Sequence, residues 1–168
     1  NYFNIRMDDF AFARVLHVLG VVFWIGGVAM VTLVLLPALK HWSSPTEAMV
    51  FFTNFRRRFA AQARYSTLLV GLSGFYMTYV LDAWHRFTQW QYWWMHAMVL
   101  IWLLFTVMLF VFEPRSRRKS NPASPQNITL QTFANIQHRH LILLILSLLT
   151  IAGAVAGSHG WLIIGGRL

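Results

Sequence analysis

Four apolar stretches, Phe10–Leu36, Phe59–Leu81, Tyr92–Phe112 and His140–Ile164, each hold enough consecutive residues to cross a bilayer. About 30 Å of hydrocarbon needs about 20 helical residues, and a spanning segment must satisfy its own backbone, so each stretch is expected to be a helix. The chain is 57% hydrophobic and 11% charged, a composition far from that of a soluble domain. Its 168 residues are therefore read as one all-α integral membrane domain. Short connections between consecutive spans make an antiparallel up-down four-transmembrane-helix bundle the simplest topology. Asp8 and Asp9 suit the start of the first helix, where carboxylates meet free N–H groups, and Pro37 is expected to end it. Glu113–Arg139 carries Pro114, Pro122 and Pro125 in a polar, basic run and reads as an exposed loop.

The formal charge is +9. In a polar chain that excess would suggest nucleic acid, but in this one the bilayer is the expected partner and the basic residues report orientation. Ten of the fourteen lie in or beside the first and third loops: Lys40, Arg56, Arg57, Arg58, Arg64, Arg115, Arg117, Arg118, Lys119 and Arg139. That side is expected to be cytoplasmic, with both termini on the opposite, periplasmic side of a bacterial inner membrane. Trp84, Trp90, Tyr92, Trp93 and Trp94 cluster on the outer side, where amphipathic rings anchor at the headgroups.

No cysteine is present, so thiolate metal sites, iron–sulfur clusters and covalent haem attachment are excluded. Ionisable side chains inside hydrocarbon are costly and become functional candidates. At 1.5 Å per residue, His17, His96 and His159 fall about 6–10 Å inside the outer ends of three different helices, in one layer. His85 sits in the loop above them, while His41, His138 and His140 lie toward the cytoplasmic side. Gly20, Trp24 and Gly27 share the helical face of His17, a strip that either receives a flat macrocycle or lets another helix approach. Thr67, Gly71, Gly74 and Thr78 follow Arg64 on one face of the second span, and His159 shares a face with Ala152 and Ala156.

Haem b suits this inventory, since it takes neutral imidazoles as axial ligands and sits between helices of bundles. His17 and His96 are the first-choice ligands, His159 is the substitute for either, and Arg14 lies one turn above His17 where it can reach a propionate. Copper is the alternative, because Met95, His96 and Met98 bring two thioethers and an imidazole together, a soft set suited to Cu(I). Nothing supports hydrolysis: the spans hold no carboxylate pair, and Glu113 and Asp82 lie at helix ends, where carboxylates are usually solvated. A membrane-anchor subunit without chemistry of its own is the third reading.

The run from Arg14 through His17, Gly20, Trp24 and Gly27 to Leu36-Pro37 resembles the first helix of two related bacterial membrane families. These are the copper-resistance protein D-like family and the membrane protoporphyrinogen IX oxidases of the HemJ type. The likeness continues through Phe55–Phe59 into Gly71 and Gly74, and into Trp94-Met95-His96-Ala97-Met98. It implies a four-helix haem b protein whose first-helix ligand is His17. The oxidase group carries a lysine two residues after its third-helix histidine, where this chain has Met98. The resemblance therefore implies a haem-binding bundle, with copper handling as the second possibility, rather than protoporphyrinogen oxidation. The reading that follows is a b-type cytochrome moving electrons, with a quinol or other redox subunits as partners and with homo- or hetero-oligomers allowed.

Overall fold

The computed structural model describes residues 2–115 and 130–161, with side chains over 7–115 and 133–161. The described residues form no strand. The helices are α1 (Tyr2–Met30), α2 (Leu36–Lys40), α3 (Pro45–Val80), α4 (Trp93–Val107) and α5 (Leu130–Ser158). Two 3-10 turns, Ala83–Thr88 and Trp90–Tyr92, connect α3 to α4.

Three stretches are long and apolar enough to cross a membrane: Met7–Lys40, Trp90–Arg115 and Phe133–Ser158. In their most apolar windows only 33%, 11% and 28% of the residues are buried inside the fold, so most of this apolar surface faces outward. Val22, Phe23, Leu33, Leu100 and Leu149 are each more than half exposed. Water does not tolerate such a girdle, and lipid does. The second expected span lies within α3, which has the length but is not one of the three. Its membrane-length half carries Gln62, Arg64, Ser66, Thr67, Ser73 and Thr78.

Helix ends depart from the expected ones. α1 starts at Tyr2, so Asp8 and Asp9 lie inside it and cap nothing, and Asp9 instead accepts a hydrogen bond from the Tyr76 hydroxyl. Pro37 does not stop the first helix: a π-helical turn, Val31–Leu35, widens the backbone ahead of it, and the chain continues as α2. Another π-helical turn, Met108–Phe112, precedes Pro114 and lets the third span run on. α3 begins at Pro45, well before Phe59, because Ser44 accepts from the Glu47 amide, Pro45 supplies the first helical φ and Glu47 sits in the first turn. Ser44→Ala should cost about 1 kcal/mol, read as a lower melting temperature in detergent. α5 starts at Leu130, inside the stretch read as loop, and ends at Ser158. The rest of that loop, with Arg117, Arg118, Lys119, Pro122 and Pro125, and the final residues through Ile164 and Arg167, lie outside the described residues.

Cross-helix pairs give the directions. On α1 and α3, His17 meets Ser73, Gly20 faces Val70 and Gly27 faces Phe59, an antiparallel register. α4 runs against α3 through Trp102 beside Gly71 and Leu109 beside Ala60 and Ala63. Trp93 and Trp94 lie over Gly153 and Gly157, and Leu144 packs with Phe105, so α5 opposes α4. α5 returns to α1 and α2, where Leu144 joins the cluster of Trp24 and Phe133 that of Leu36. One core gathers Trp24, Ile25, Val28, Val70, Phe105 and Leu144, with Trp24 edge-on to Phe105 at 5.0 Å. A second gathers Val31, Leu36, Leu39, Ala48, Phe52 and Phe133 at the end that carries Lys40.

The glycines explain these close crossings. A Cβ at Gly71 would stand 2.6 Å from the Trp102 indole, and one at Gly20 would stand 2.8 Å from Val70. Trp94 is buried against Gly157, so it is a packing residue rather than an interface anchor, whereas Trp90 and Trp161 are almost fully exposed.

Candidate functional site

His17 is half-buried on the face of α1 that meets α3. Its Nδ1 lies 3.0 Å from the Val70 carbonyl oxygen and 3.1 Å from Ser73 Oγ. A carbonyl only accepts, so Nδ1 carries the proton and donates it. Ser73 sends its own proton to Leu69 O at 2.6 Å and is left to accept from the imidazole. The ring rests on Gly74, where a Cβ would be 3.1 Å from Cε1. This fixes both orientation and tautomer. Nε2 is left with its lone pair, and it makes no hydrogen bond among the described residues.

The strip beside His17 is filled rather than open. Gly20 takes Val70 and Gly27 takes the Phe59 ring, both from α3, while Gly26 points into open space. Gly20 thereby lets α3 come close enough for the Val70 carbonyl to reach His17. Trp24 turns into the core at 3% exposure, and its indole N–H has no acceptor there. Thr67 is fully buried, and its hydroxyl is also without a partner among the described residues. The hydroxyls of Thr32, Ser66, Ser73, Thr78 and Ser147 each return to a carbonyl one turn back, as helical hydroxyls in a dry setting do. Two buried polar atoms near the first core are thus without a hydrogen-bond partner among the described residues.

The other two histidines of the layer are exposed. His96 directs Nε2 to the Phe87 carbonyl at 2.9 Å and meets the Phe87 ring edge-on at 5.6 Å, so it faces the connector before α4. Its Nε2 is therefore the protonated nitrogen and Nδ1 is uncommitted. His17 and His96 share no hydrogen bond or ring contact. His159 lies just beyond α5, gives Nδ1–H to Val155 O at 2.8 Å and borders an open groove of about 610 Å³ with Ala152, Val155, Ala156 and Trp161. His85 is held by the Asp82 carbonyl at 3.1 Å in the connector. Arg14 is exposed and has neither an ion pair nor a hydrogen bond among the described residues. Met95 and Met98 are half-buried on either side of His96. No group of three or more His, Asp or Glu able to hold an ion occurs among the described residues.

Sequence reasoning missed the partners of His17, Val70 and Ser73, because an apolar residue's carbonyl leaves no mark in a sequence. It also placed Glu113 in water. The structure buries that carboxylate to 9% exposure and sets it 2.6 Å from Arg64 of α3, which also lies over the Phe110 ring. The available signal was Arg64 itself, a guanidinium inside the stretch read as a membrane span.

Compared with family models, curated proteins and solved structures, the chain matches none of them.

Proposed function

We propose that this protein is an integral membrane b-type cytochrome, an antiparallel bundle of four spans with α3 as the fourth. In this reading it lies in a bacterial inner membrane with both termini on the periplasmic side. The observation that supports it is the tethered imidazole of His17. Haem ligands characteristically donate the second ring N–H to a carbonyl, which orients the ring and raises its basicity, and Nδ1 of His17 does this with Val70 while Nε2 stays available. The resemblance of the Arg14–Pro37 segment to haem-binding membrane families points the same way.

In this reading His17 would hold the iron through Nε2 and His96 would be the second ligand, with His159 as the substitute for either and Arg14 toward a propionate. Haem b, when bound, supplies a one-electron iron couple. The filled strip gives Gly20 and Gly27 a supporting role: they bring α3 against α1, and α3 carries the acceptors that set the tautomer of His17. Electrons would arrive from a quinol or a neighbouring redox subunit.

The test is a dithionite-reduced-minus-oxidised spectrum of protein purified from haem-replete cells, together with metal analysis. A b-type α-band with stoichiometric iron is expected. Stoichiometric copper without iron would overturn the reading in favour of a Met95, His96 and Met98 site. Neither metal, with loss of co-purifying subunits on detergent extraction, would leave an anchor subunit.

A further inference from the structure

The two prolines that fail to stop their helices do so by the same means. In the first π-helical turn the Leu36 amide reaches back five residues to Val31 O, and in the second the Glu113 amide reaches Met108 O. One residue further on, the same step aims the nitrogens of Pro37 and Pro114 at the carbonyls of Thr32 and Leu109. Neither nitrogen has a proton to give. Each carbonyl is met by a side chain from a neighbouring helix instead. Gln137 of α5 donates Nε2–H to Thr32 O at 3.2 Å. Arg64 of α3 donates from Nε and Nη2 to Leu109 O, at 3.1 and 3.0 Å.

Both side chains also grip the helix they cap at a second point near the proline. Gln137 Oε1 accepts from the Lys40 ammonium, three residues beyond Pro37, and Arg64 pairs with Glu113, one residue before Pro114. Phe59 of α3 packs against the cluster holding Val31 and against the one holding Leu109. The first and third spans run in the same direction, so both sites lie toward the basic end of the molecule. Short π-helical segments are rare and concentrate where a helix must bend. Here a pair occurs with equal spacing to a proline and equivalent side-chain caps.

We infer that the first and third spans carry a matched pair of latched hinges. The π-turns and prolines supply the bend points, and Gln137 and Arg64 are the latches, each delivering from outside the helix the proton that proline withholds. Closing a latch joins the terminal segment of its helix to the rest of the span. Opening one frees the segment that carries Lys40 or Arg115. The device stands independently of any cofactor.

Epistasis in the full chain, read by amide hydrogen exchange in detergent micelles, tests this. Gln137→Leu, which removes the bonds to both Thr32 O and Lys40, should speed exchange of the amides at 36 and 38–40 roughly tenfold or more and leave 20–28 unchanged. Adding Pro37→Ala restores a main-chain donor to Thr32 O but no partner for Lys40, so the double variant should recover most of the wild-type protection. Adding Pro114→Ala instead should not rescue it. Arg64→Leu with and without Pro114→Ala repeats the logic at 111–115. If the buried charge change there prevents folding, the neutral Gln137 arm decides alone. Unchanged exchange in Gln137→Leu, or a Gln137→Leu/Pro37→Ala protein as fast as the single variant, would overturn the latch. Rescue of Gln137→Leu by Pro114→Ala would overturn the pairing of each latch with its own proline.

Discussion

Replacing His17 by alanine is expected to remove the haem α-band from protein purified out of haem-replete cells, while Ser73→Ala retains it. The asymmetry follows from the geometry of the ring. His17 alone presents the free Nε2, whereas Ser73 is one of two acceptors for Nδ1–H, and the Val70 carbonyl persists without it. Losing Ser73 relaxes the orientation of a ligand that is still present, and losing His17 removes the ligand. His17→Ala should also soften the α1–α3 contact by about 1 kcal/mol through the lost hydrogen bond. A melting curve therefore accompanies the spectrum, so that haem loss is not confused with unfolding. A folded His17→Ala protein with its α-band at full intensity would strike His17 from the ligand set.

The second large effect belongs to Gly71. A Cβ there would stand 2.6 Å from three atoms of the Trp102 indole. That indole donates to Thr67 O at 2.9 Å and meets Phe75 edge-on at 5.6 Å, so it has little freedom to retreat. Gly71→Val should cost about 2–4 kcal/mol, combining overpacking with the strained or lost indole hydrogen bond. It should lower the thermal midpoint in detergent well below that of the parent. Gly26→Ala is the matched control: a Cβ there meets nothing within 4 Å, and the midpoint should hold or rise slightly, since alanine is the better helix former. Equal behaviour of the two variants would mean that the α3–α4 crossing does not depend on Gly71.

What could be read from the chain beforehand was whatever depends on side-chain type alone. Runs of apolar residues mark helices, so all four expected spans are helical over most of their described length, the fourth stopping at Ser158, and three stretches qualify by length and hydropathy. The face shared by His159, Ala152 and Ala156 was also legible, and the three border one groove. Helix ends were not, because they turn on backbone hydrogen bonds. A proline reads as a stop when its missing N–H leaves a carbonyl stranded, and Gln137 and Arg64 abolish that penalty from more than forty residues away in sequence. Asp9 was misplaced for a related reason: a capping carboxylate and one bonded to a tyrosine on the next helix look alike in one dimension. The glycine strip beside His17 admitted two explanations, and spacing cannot tell whether a groove holds a ligand or another helix. Val70 and Phe59 occupy it.

The second apolar core has a consequence for how the molecule meets water. Ala48 and Phe52 precede the apolar stretch of α3 that starts at Phe59, and Phe133 precedes the one of α5 that starts at His140, yet all three are buried together with Leu36 and Leu39. The bundle therefore does not dissolve into loops at the basic end. It continues as a helical stump with an interior of its own, closed by Phe133 and Leu36, which expose no surface. Two solvents thus act on one continuous set of helices. A denaturant confined to water would loosen the stump first and leave the lipid-bathed half standing, so unfolding from the aqueous side should proceed in two stages.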